Sequence, residues 1–136
     1  MTVSVSIFFN APHSLAKTVT ELGQIWNLSF ELKDYGFSSI YETECMGQLV
    51  QIEGHDYDND KNAGIAFEDY QYLIRVSTYK FKGYRIYLCR IGLFLGLQMF
   101  HQLQWESMVV YDVQTKIADI NSNTVDGLSL EQSILL

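Results

Sequence analysis

Residues 2–26 of the chain read TVSVSIFFNAPHSLAKTVTELGQIW, and they predict a β-strand followed by an α-helix. Apolar side chains occupy alternate positions from Val3 to Phe9, which is the period of a strand with one buried face. Proline and polar residues then interrupt this pattern, and Ser14 is a suitable helix N-cap. Apolar residues follow at spacings of four, three and four, which place them on one face of a helix: Leu15, Val19, Leu22 and Trp26.

More strands and a second helix are predicted downstream. Alternation, or β-branched and aromatic content, predicts strands at 28–32, 39–46, 48–53, 65–67, 72–79 and 107–113, with a polar loop at about 54–64. The second helix is predicted from an apolar stripe with helical spacing: Tyr84, Tyr87, Leu88, Ile91, Leu95, Met99 and Leu103.

The predicted order is therefore strand, helix, several strands, helix, strand. Two helices packed on one face of a largely antiparallel sheet would bury both apolar stripes, so we predict an α+β fold. The specific expectation is a ferredoxin-like variant with an enlarged central meander. No repeat or Pro/Gly/Ser-rich linker divides the chain, which predicts a single domain over 1–136, with 120–136 as a partly ordered tail.

Composition excludes several classes of protein. The chain has 136 residues, of which 48% are hydrophobic and 18% charged, so wholesale disorder is excluded. The amino terminus lacks the basic and apolar regions of an export signal, and we expect a cytoplasmic protein. Cys45 and Cys89 match no metal or redox motif, and in that compartment we expect reduced thiols.

The most apolar stretch, residues 86–100, is interrupted by Arg90 and Gln98. A membrane span needs about 20 mostly apolar residues, so we predict a buried helix and no membrane partner. Gly92 and Gly96 form a GxxxG spacing in this stretch, to which we assign no role outside a membrane.

Charge is distributed unevenly along the chain. The formal net charge is −7, which opposes binding to nucleic acid and favours a basic partner. Residues 42–69 hold eight acids and one base, a local charge of −7, and we call them the acidic centre. Residues 75–90 hold five bases and no acid, and we call them the basic segment; the remainder of the chain carries −5.

The tyrosine-bearing part of the acidic centre, around Glu53 to Asp69, is the predicted binding surface for a protein partner. Tyrosine supplies rigid contact area, and carboxylates attract a basic partner. We expect Tyr70 and Tyr72 to share one strand face beside the acids. A plainer alternative is that the acidic centre and residues 75–90 are solvent-exposed faces, on which some charges pair across neighbouring strands. The predicted contact residues are Glu53, His55, Asp56, Tyr57, Asp58, Asp60, Glu68, Asp69, Tyr70 and Tyr72.

Other chemistry finds weaker support in the sequence. Residues 56–60, DYDND, begin like a calcium loop, but Lys61 replaces the turn glycine and Phe67 the bidentate glutamate, so no metal site is predicted. No nucleophile or phosphate-binding motif is present, and His55 with its acidic neighbours is the only local acid–base cluster. We therefore predict no enzyme, no catalytic residue and no cofactor.

The basic segment offers a nucleic-acid alternative. Its cations are interleaved with aromatic residues, a pattern that suits single-strand binding. Net charge opposes this function, and some of the rings also belong to the predicted helix stripe, so no nucleic-acid partner is predicted. The aromatic residues concerned are Tyr79, Phe81, Tyr84 and Tyr87.

The compact acidic α+β pattern, the acid–tyrosine region from Glu53 to Asp69, and a helix followed by residues 108–112, MVVYD, resemble the small bacterial toxin-immunity proteins, including the contact-dependent growth inhibition type. This resemblance implies a cytoplasmic inhibitor that binds a cognate toxin domain, often a basic nuclease, and blocks its active site or substrate surface.

Two other classes of function remain open. One is a small enzyme or ligand-binding domain with a pocket between the sheet and the helices, where His55 or His101 would meet a carboxylate. The other is an assembly subunit with a large exposed apolar face.

Overall fold

Seven antiparallel strands form the central sheet in a computed structural model that describes residues 2–36, 38–55, 61–62, 65–112 and 114–122. A further pair of short strands stands apart from this sheet. The strands are β1 Thr2–Phe9, β2 Glu31–Asp34, β3 Ser39–Cys45, β4 Gln48–Gly54, β5 Lys61–Asn62, β6 Ile65–Ala66, β7 Tyr72–Tyr79, β8 Ser107–Tyr111 and β9 Thr115–Ile120. The helices are α1 Leu15–Trp26, α2 Tyr84–Leu103 and a 3-10 helix at Phe67–Asp69.

The strands of the large sheet are arranged in the order β2-β3-β4-β7-β1-β8-β9. The four strands β8-β1-β7-β4, with α1 following β1 and α2 joining β7 to β8, have the arrangement of a ferredoxin-like fold. Strands β2 and β3 enlarge the meander before β4, and β9 extends the other edge of the sheet. The predicted α+β fold is therefore confirmed, together with its enlarged meander.

The main hydrophobic core lies between the sheet and the two helices. Val5, Ile7 and Phe9 of β1 are completely buried there, in the alternation that the sequence predicts. Val19 and Leu22 of α1 pack into the same core. Burial of an apolar side chain of this size contributes about 1.5–3 kcal/mol. Both helices thus cover one face of the sheet, as predicted.

Two glycines let α2 approach the sheet closely. A Cβ atom at Gly92 would lie 2.8 Å from methyl carbons of both Val5 and Val109. A Cβ atom at Gly96 would lie 2.6 Å from Cδ1 of Ile120. These distances are shorter than ordinary van der Waals contact, so a side chain at either position would collide with the sheet. The GxxxG spacing, for which we expected no role, therefore forms a helix–sheet contact.

A second, smaller core lies on the opposite face of the sheet. Phe8 of β1, Leu73 of β7 and Val110 of β8 are buried there together with Phe67 from the 3-10 helix. The ring centroids of Phe8 and Phe67 are 4.7 Å apart. Strand β1 is thus buried on both faces, which differs from the single buried face predicted. Its continuous apolar run at residues 7–9 is the sequence feature typical of such a strand.

The structure adds two strands that the sequence did not predict, the two-residue β5 within the predicted polar loop and β9 at the edge of the large sheet. Strand β9 pairs with β8, and the register shifts by a bulge between Val109 and Val110. This irregular pairing breaks the period-two pattern on which strand prediction depends. Ile120, where the predicted tail begins, is only 2% exposed and ends this strand. Residues 123–136 of that tail lie outside the described residues.

Helix α2 contains the apolar stretch that we considered as a membrane span. Among the residues described, no helix is both long and apolar enough to cross a membrane. Cys45 and Cys89 are free cysteines, both partly buried.

Candidate functional site

An acidic cleft opens at the end of the sheet where β1 ends and β8 begins. Its volume is about 610 Å³. Four chain segments meet there: the residues after β1, the residues after the 3-10 helix, the connection from α2 to β8, and the end of β9. They bring together Asn10, Asp69, Tyr70, Trp105, Glu106 and Asp119.

The end of α2 shapes one wall of the cleft. Gln104 adopts a left-handed conformation with φ of 61°, and its backbone N–H donates to the carbonyl oxygen of Phe100. This capping ends the helix and redirects the chain toward β8. Trp105 then turns into the core, where its ring stacks on Phe9 with centroids 6.0 Å apart. Glu106, the next residue, is left exposed on the wall.

Asn10 holds the opposite wall in place. Its Nδ2 donates to the carbonyl oxygen of Asp69 at 3.0 Å. Its Oδ1 accepts from the backbone N–H of Gln71 at 2.8 Å. One side chain therefore fixes the segment on both sides of Tyr70, which positions Tyr70 relative to the end of β1.

Three carboxylates lie near enough to the phenol of Tyr70 to affect its ionisation. Burial raises the pKa of Tyr70, and the negative charges of Asp119, Asp69 and Glu106 raise this pKa further. All three act in the same direction because each opposes formation of a phenolate. Tyr70 therefore remains a neutral hydrogen-bonding group among anions at physiological pH.

The charge of the cleft is only partly neutralised. Oδ2 of Asp119 lies 2.6 Å from Nζ of Lys116, and both side chains are substantially exposed. Among the side chains that the structure describes, which do not include Lys61, none forms an ion pair with Asp69 or Glu106. A carboxylate at such a position can accept charge-assisted hydrogen bonds from lysine or arginine.

Of the predicted contact residues, Asp69 and Tyr70 belong to this cleft. Glu53 lies elsewhere, on the face of the sheet away from the helices, where its Oε1 is 3.3 Å from Nη2 of Arg75. The acidic centre and the basic segment therefore meet in one ion pair between neighbouring strands, as the plainer alternative expected. Such a partly exposed pair contributes up to about 1 kcal/mol.

The side chains of His55 and Tyr72 pack against other residues of the protein. His55 is 5% exposed, and its ring meets Phe8 edge-on with centroids 5.1 Å apart. Tyr72 packs against Phe9 on the helix-facing side, and its hydroxyl donates to the carbonyl oxygen of His13. Tyr70 and Tyr72 thus lie on opposite faces, contrary to the prediction, because β7 begins only at Tyr72.

The remaining predicted contacts lie outside the described residues. These are Asp56, Tyr57, Asp58 and Asp60, together with the side chain of Glu68. The calcium-like sequence falls on the same residues. Within the described part of the chain, no group of three or more His, Cys, Asp or Glu side chains is placed to hold a metal ion.

Glu106, Asp119 and Asn10 are cleft residues that were not predicted. Glu106 follows Trp105 and directly precedes the predicted strand at 107–113. An acidic residue between a helix and a strand was the sequence signal that could have identified it. Asp119 belongs to the strand β9, which was itself missed. Asn10 was interpreted only as part of the break between β1 and α1.

Two cations lie toward the other end of β1. Thr2 pairs with Tyr79, so the residues after β7 lie at the end of β1 opposite the cleft. Lys80 lies over the ring of Tyr84, and Arg85 over the ring of Tyr111, at 5.8 Å and 5.0 Å from the ring centroids. Strand β1 has eight residues, so roughly 25 Å separates its first residue from the cleft, and Arg85 lies over Tyr111, which pairs with Val5 nearer the middle of the strand.

A groove of about 490 Å³ also lies between the sheet and the two helices, where the ligand-binding alternative placed a pocket. Neither His55 nor His101 lines this groove. The acid–base pair expected for that alternative is therefore not found at this position.

Comparisons with known proteins give no match for this chain. No protein-family model matches it, and neither a curated protein nor a solved structure does. Function must therefore be inferred from the cleft and its charges.

Proposed function

We propose that this protein is a protein-binding inhibitor, most concretely an immunity protein that neutralises a cognate toxin. The acidic cleft would receive a basic segment of the toxin, such as the substrate-binding surface of a nuclease. The observation that carries the proposal is the set of three carboxylates near Tyr70, two of which have no ion-pair partner among the described side chains.

The proposed mechanism is electrostatic and steric. Carboxylates of Asp69 and Glu106 would accept hydrogen bonds from lysine or arginine side chains that otherwise bind phosphate. Charge-assisted hydrogen bonds of this kind contribute about 1.5–3 kcal/mol each. Tyr70 would add a rigid aromatic contact, and the bound domain would cover the toxin's active surface.

The cleft walls support this role because they are fixed before binding. Asn10 holds the segment around Tyr70 through two hydrogen bonds, and Trp105 anchors the opposite wall in the core. Side chains that are already ordered lose less entropy when a partner binds, so more of the interaction energy appears as affinity.

Reversing the charge of the cleft should weaken binding of a basic chain at least tenfold. The variant is Asp69→Lys with Glu106→Lys, and the probe is a ten-residue lysine-rich peptide titrated calorimetrically at low salt. The matched control is Glu31→Lys with Glu44→Lys, which makes the same change in net charge on exposed residues of β2 and β3. We expect the control to retain most of the affinity, because net charge alone does not supply the cleft contacts. Equal losses in both variants would contradict a specific cleft.

The toxin itself provides the decisive functional test. The protein should restore growth when it is co-expressed with the toxic C-terminal domain of a large secreted protein encoded directly upstream. The cleft variant should fail to restore growth at equal expression, whereas the matched control should succeed. Rescue by the cleft variant would show that inhibition uses another surface.

A further inference from the structure

The groove between the helices is separate from the acidic cleft. Helices α1 and α2 pack on the sheet side by side, and the groove of about 490 Å³ lies between them. This volume falls within the range of small-molecule sites, about 300–1,000 Å³. Its apolar walls and floor include Ile25, Leu28, Val50, Val76, Ile91 and Leu95.

The groove is neutral along its whole lining. None of its lining residues is Asp, Glu, Lys, Arg or His, although 18% of the chain is charged. An ion placed there would lose its hydration without meeting a counter-charge, which is strongly unfavourable. The lining therefore selects an uncharged ligand with a large apolar part.

Two polar atoms of the lining residues lack hydrogen-bond partners. Nε1 of Trp26 is a donor and Oε1 of Gln98 is an acceptor, and both are shielded from solvent. Neither finds a partner among the described residues. By contrast, Gln48 and Tyr87, which also line the groove, are hydrogen-bonded to each other. Because Nε1 of Trp26 and Oε1 of Gln98 are both shielded from solvent, a ligand in the groove would reach them only after the two side chains turn toward it. An unsatisfied buried polar group costs about 1–3 kcal/mol, and a ligand that supplies both partners would recover part of this cost.

We propose that this groove binds a neutral acyl chain that ends in an amide. The amide carbonyl would accept from Nε1 of Trp26, and the amide N–H would donate to Oε1 of Gln98. The terminal torsion of a glutamine side chain has a broad, shallow minimum, so Gln98 can turn its amide to meet the ligand. The acyl chain would lie along the apolar floor. This site is independent of the proposed function, because it shares no residue with the cleft.

Octanamide is the probe for the first test. The protein carries Trp105→Phe, so that Trp26 is the only tryptophan and its emission reports on the groove. Octanoate, an ion at pH 8, should bind at least tenfold more weakly than octanamide. The ketone 2-nonanone, which replaces the amide nitrogen by a methyl group, should bind at least threefold more weakly because it cannot donate. Absence of any change with octanamide up to its solubility limit would overturn the proposal, as would equal binding of octanoate.

Gln98→Leu separates amide recognition from general apolar binding. This variant should lose the preference for octanamide over 2-nonanone while it still binds the ketone. Gln102→Leu is the matched control, since Gln102 is exposed on α2 and does not line the groove. It should keep the preference. Circular dichroism confirms that both variants are folded, and a retained preference in Gln98→Leu would overturn the proposal.

Cysteine alkylation provides a second readout that does not depend on fluorescence. Cys45 lines the groove, whereas Cys89 does not and serves as the internal reference. Burial also raises the pKa of the Cys89 thiol, which slows its reaction. Octanamide should slow the reaction of Cys45 with N-ethylmaleimide several-fold and leave Cys89 unchanged. Equal protection of both thiols would indicate general stabilisation and would contradict binding in the groove.

Discussion

Gly92→Leu should lower the free energy of unfolding by about 3 kcal/mol or more, or prevent folding altogether. The reason is the close packing of α2 on the sheet, where even a Cβ atom would come within 2.8 Å of Val5 and Val109. Both valines are completely buried in central strands, so neither has free space into which it could move. Urea unfolding monitored by circular dichroism would measure the loss.

Two further glycines show whether the effect comes from this contact. At Gly96 the nearest atom is the flexible end of Ile120, so Gly96→Ala should cost less than Gly92→Ala. A Cβ atom added at Gly54 would meet no atom within 4 Å, and Gly54→Ala should change stability by less than about 0.5 kcal/mol. A neutral Gly92→Leu variant would show that α2 does not approach the sheet as described.

Phe67→Ala should cost about 3–5 kcal/mol, which is the usual range for removing a buried phenylalanine. Phe67 is 1% exposed and packs on Phe8, so its loss leaves a cavity in the smaller core. The same ring lies next to His55, where the polar loop begins. We therefore expect this substitution to loosen the packing of His55 and of the 3-10 helix.

Phe81→Ala is the matched control for that prediction. Phe81 is 46% exposed and contacts Tyr87, so its truncation should cost no more than about 1 kcal/mol. If Phe67→Ala lowered the free energy of unfolding by a similarly small amount, measured by the same chemical denaturation, the smaller core would not contribute to global stability as we expect. Amide hydrogen exchange at Asp69 and Tyr70 would then reveal separate opening of the 3-10 helix.

The sequence predicted those elements that direct apolar side chains toward the main core at a regular spacing. Strands β1, β4 and β7 and both helices follow from regular periods, because one side of each meets the main core. The smaller core was not predicted because β1 is buried on both faces. The alternation of apolar residues in β1 indicates the face toward the helices and gives no information about the opposite face. Strand β9 escaped because its bulge shifts the register at Val110.

The candidate site was only partly predictable for a different physical reason. Asp69 and Tyr70 were found because charge and tyrosine are concentrated in one stretch of sequence. Glu106 and Asp119 come from distant parts of the chain, and only the order of the strands brings them beside Tyr70. The burial of His55 also could not be inferred from its acidic sequence neighbours. The rings that pack on it belong to Phe8 and Phe67, which are distant from His55 in the sequence.

Among the described residues, the carboxylates at the cleft and the cations toward the other end of β1 contribute an electric dipole component along that strand. A dipole in the field of a charged partner experiences a torque, which rotates the molecule before the two surfaces touch. Here the rotation would turn Asp69 and Glu106 toward a positive surface and Lys80 and Arg85 away from it. Since correct orientation limits most association rates to about 10⁵–10⁷ M⁻¹s⁻¹, this torque would raise the fraction of productive collisions. Salt would weaken the torque, because the ends are separated by more than the screening length of about 8 Å at physiological ionic strength.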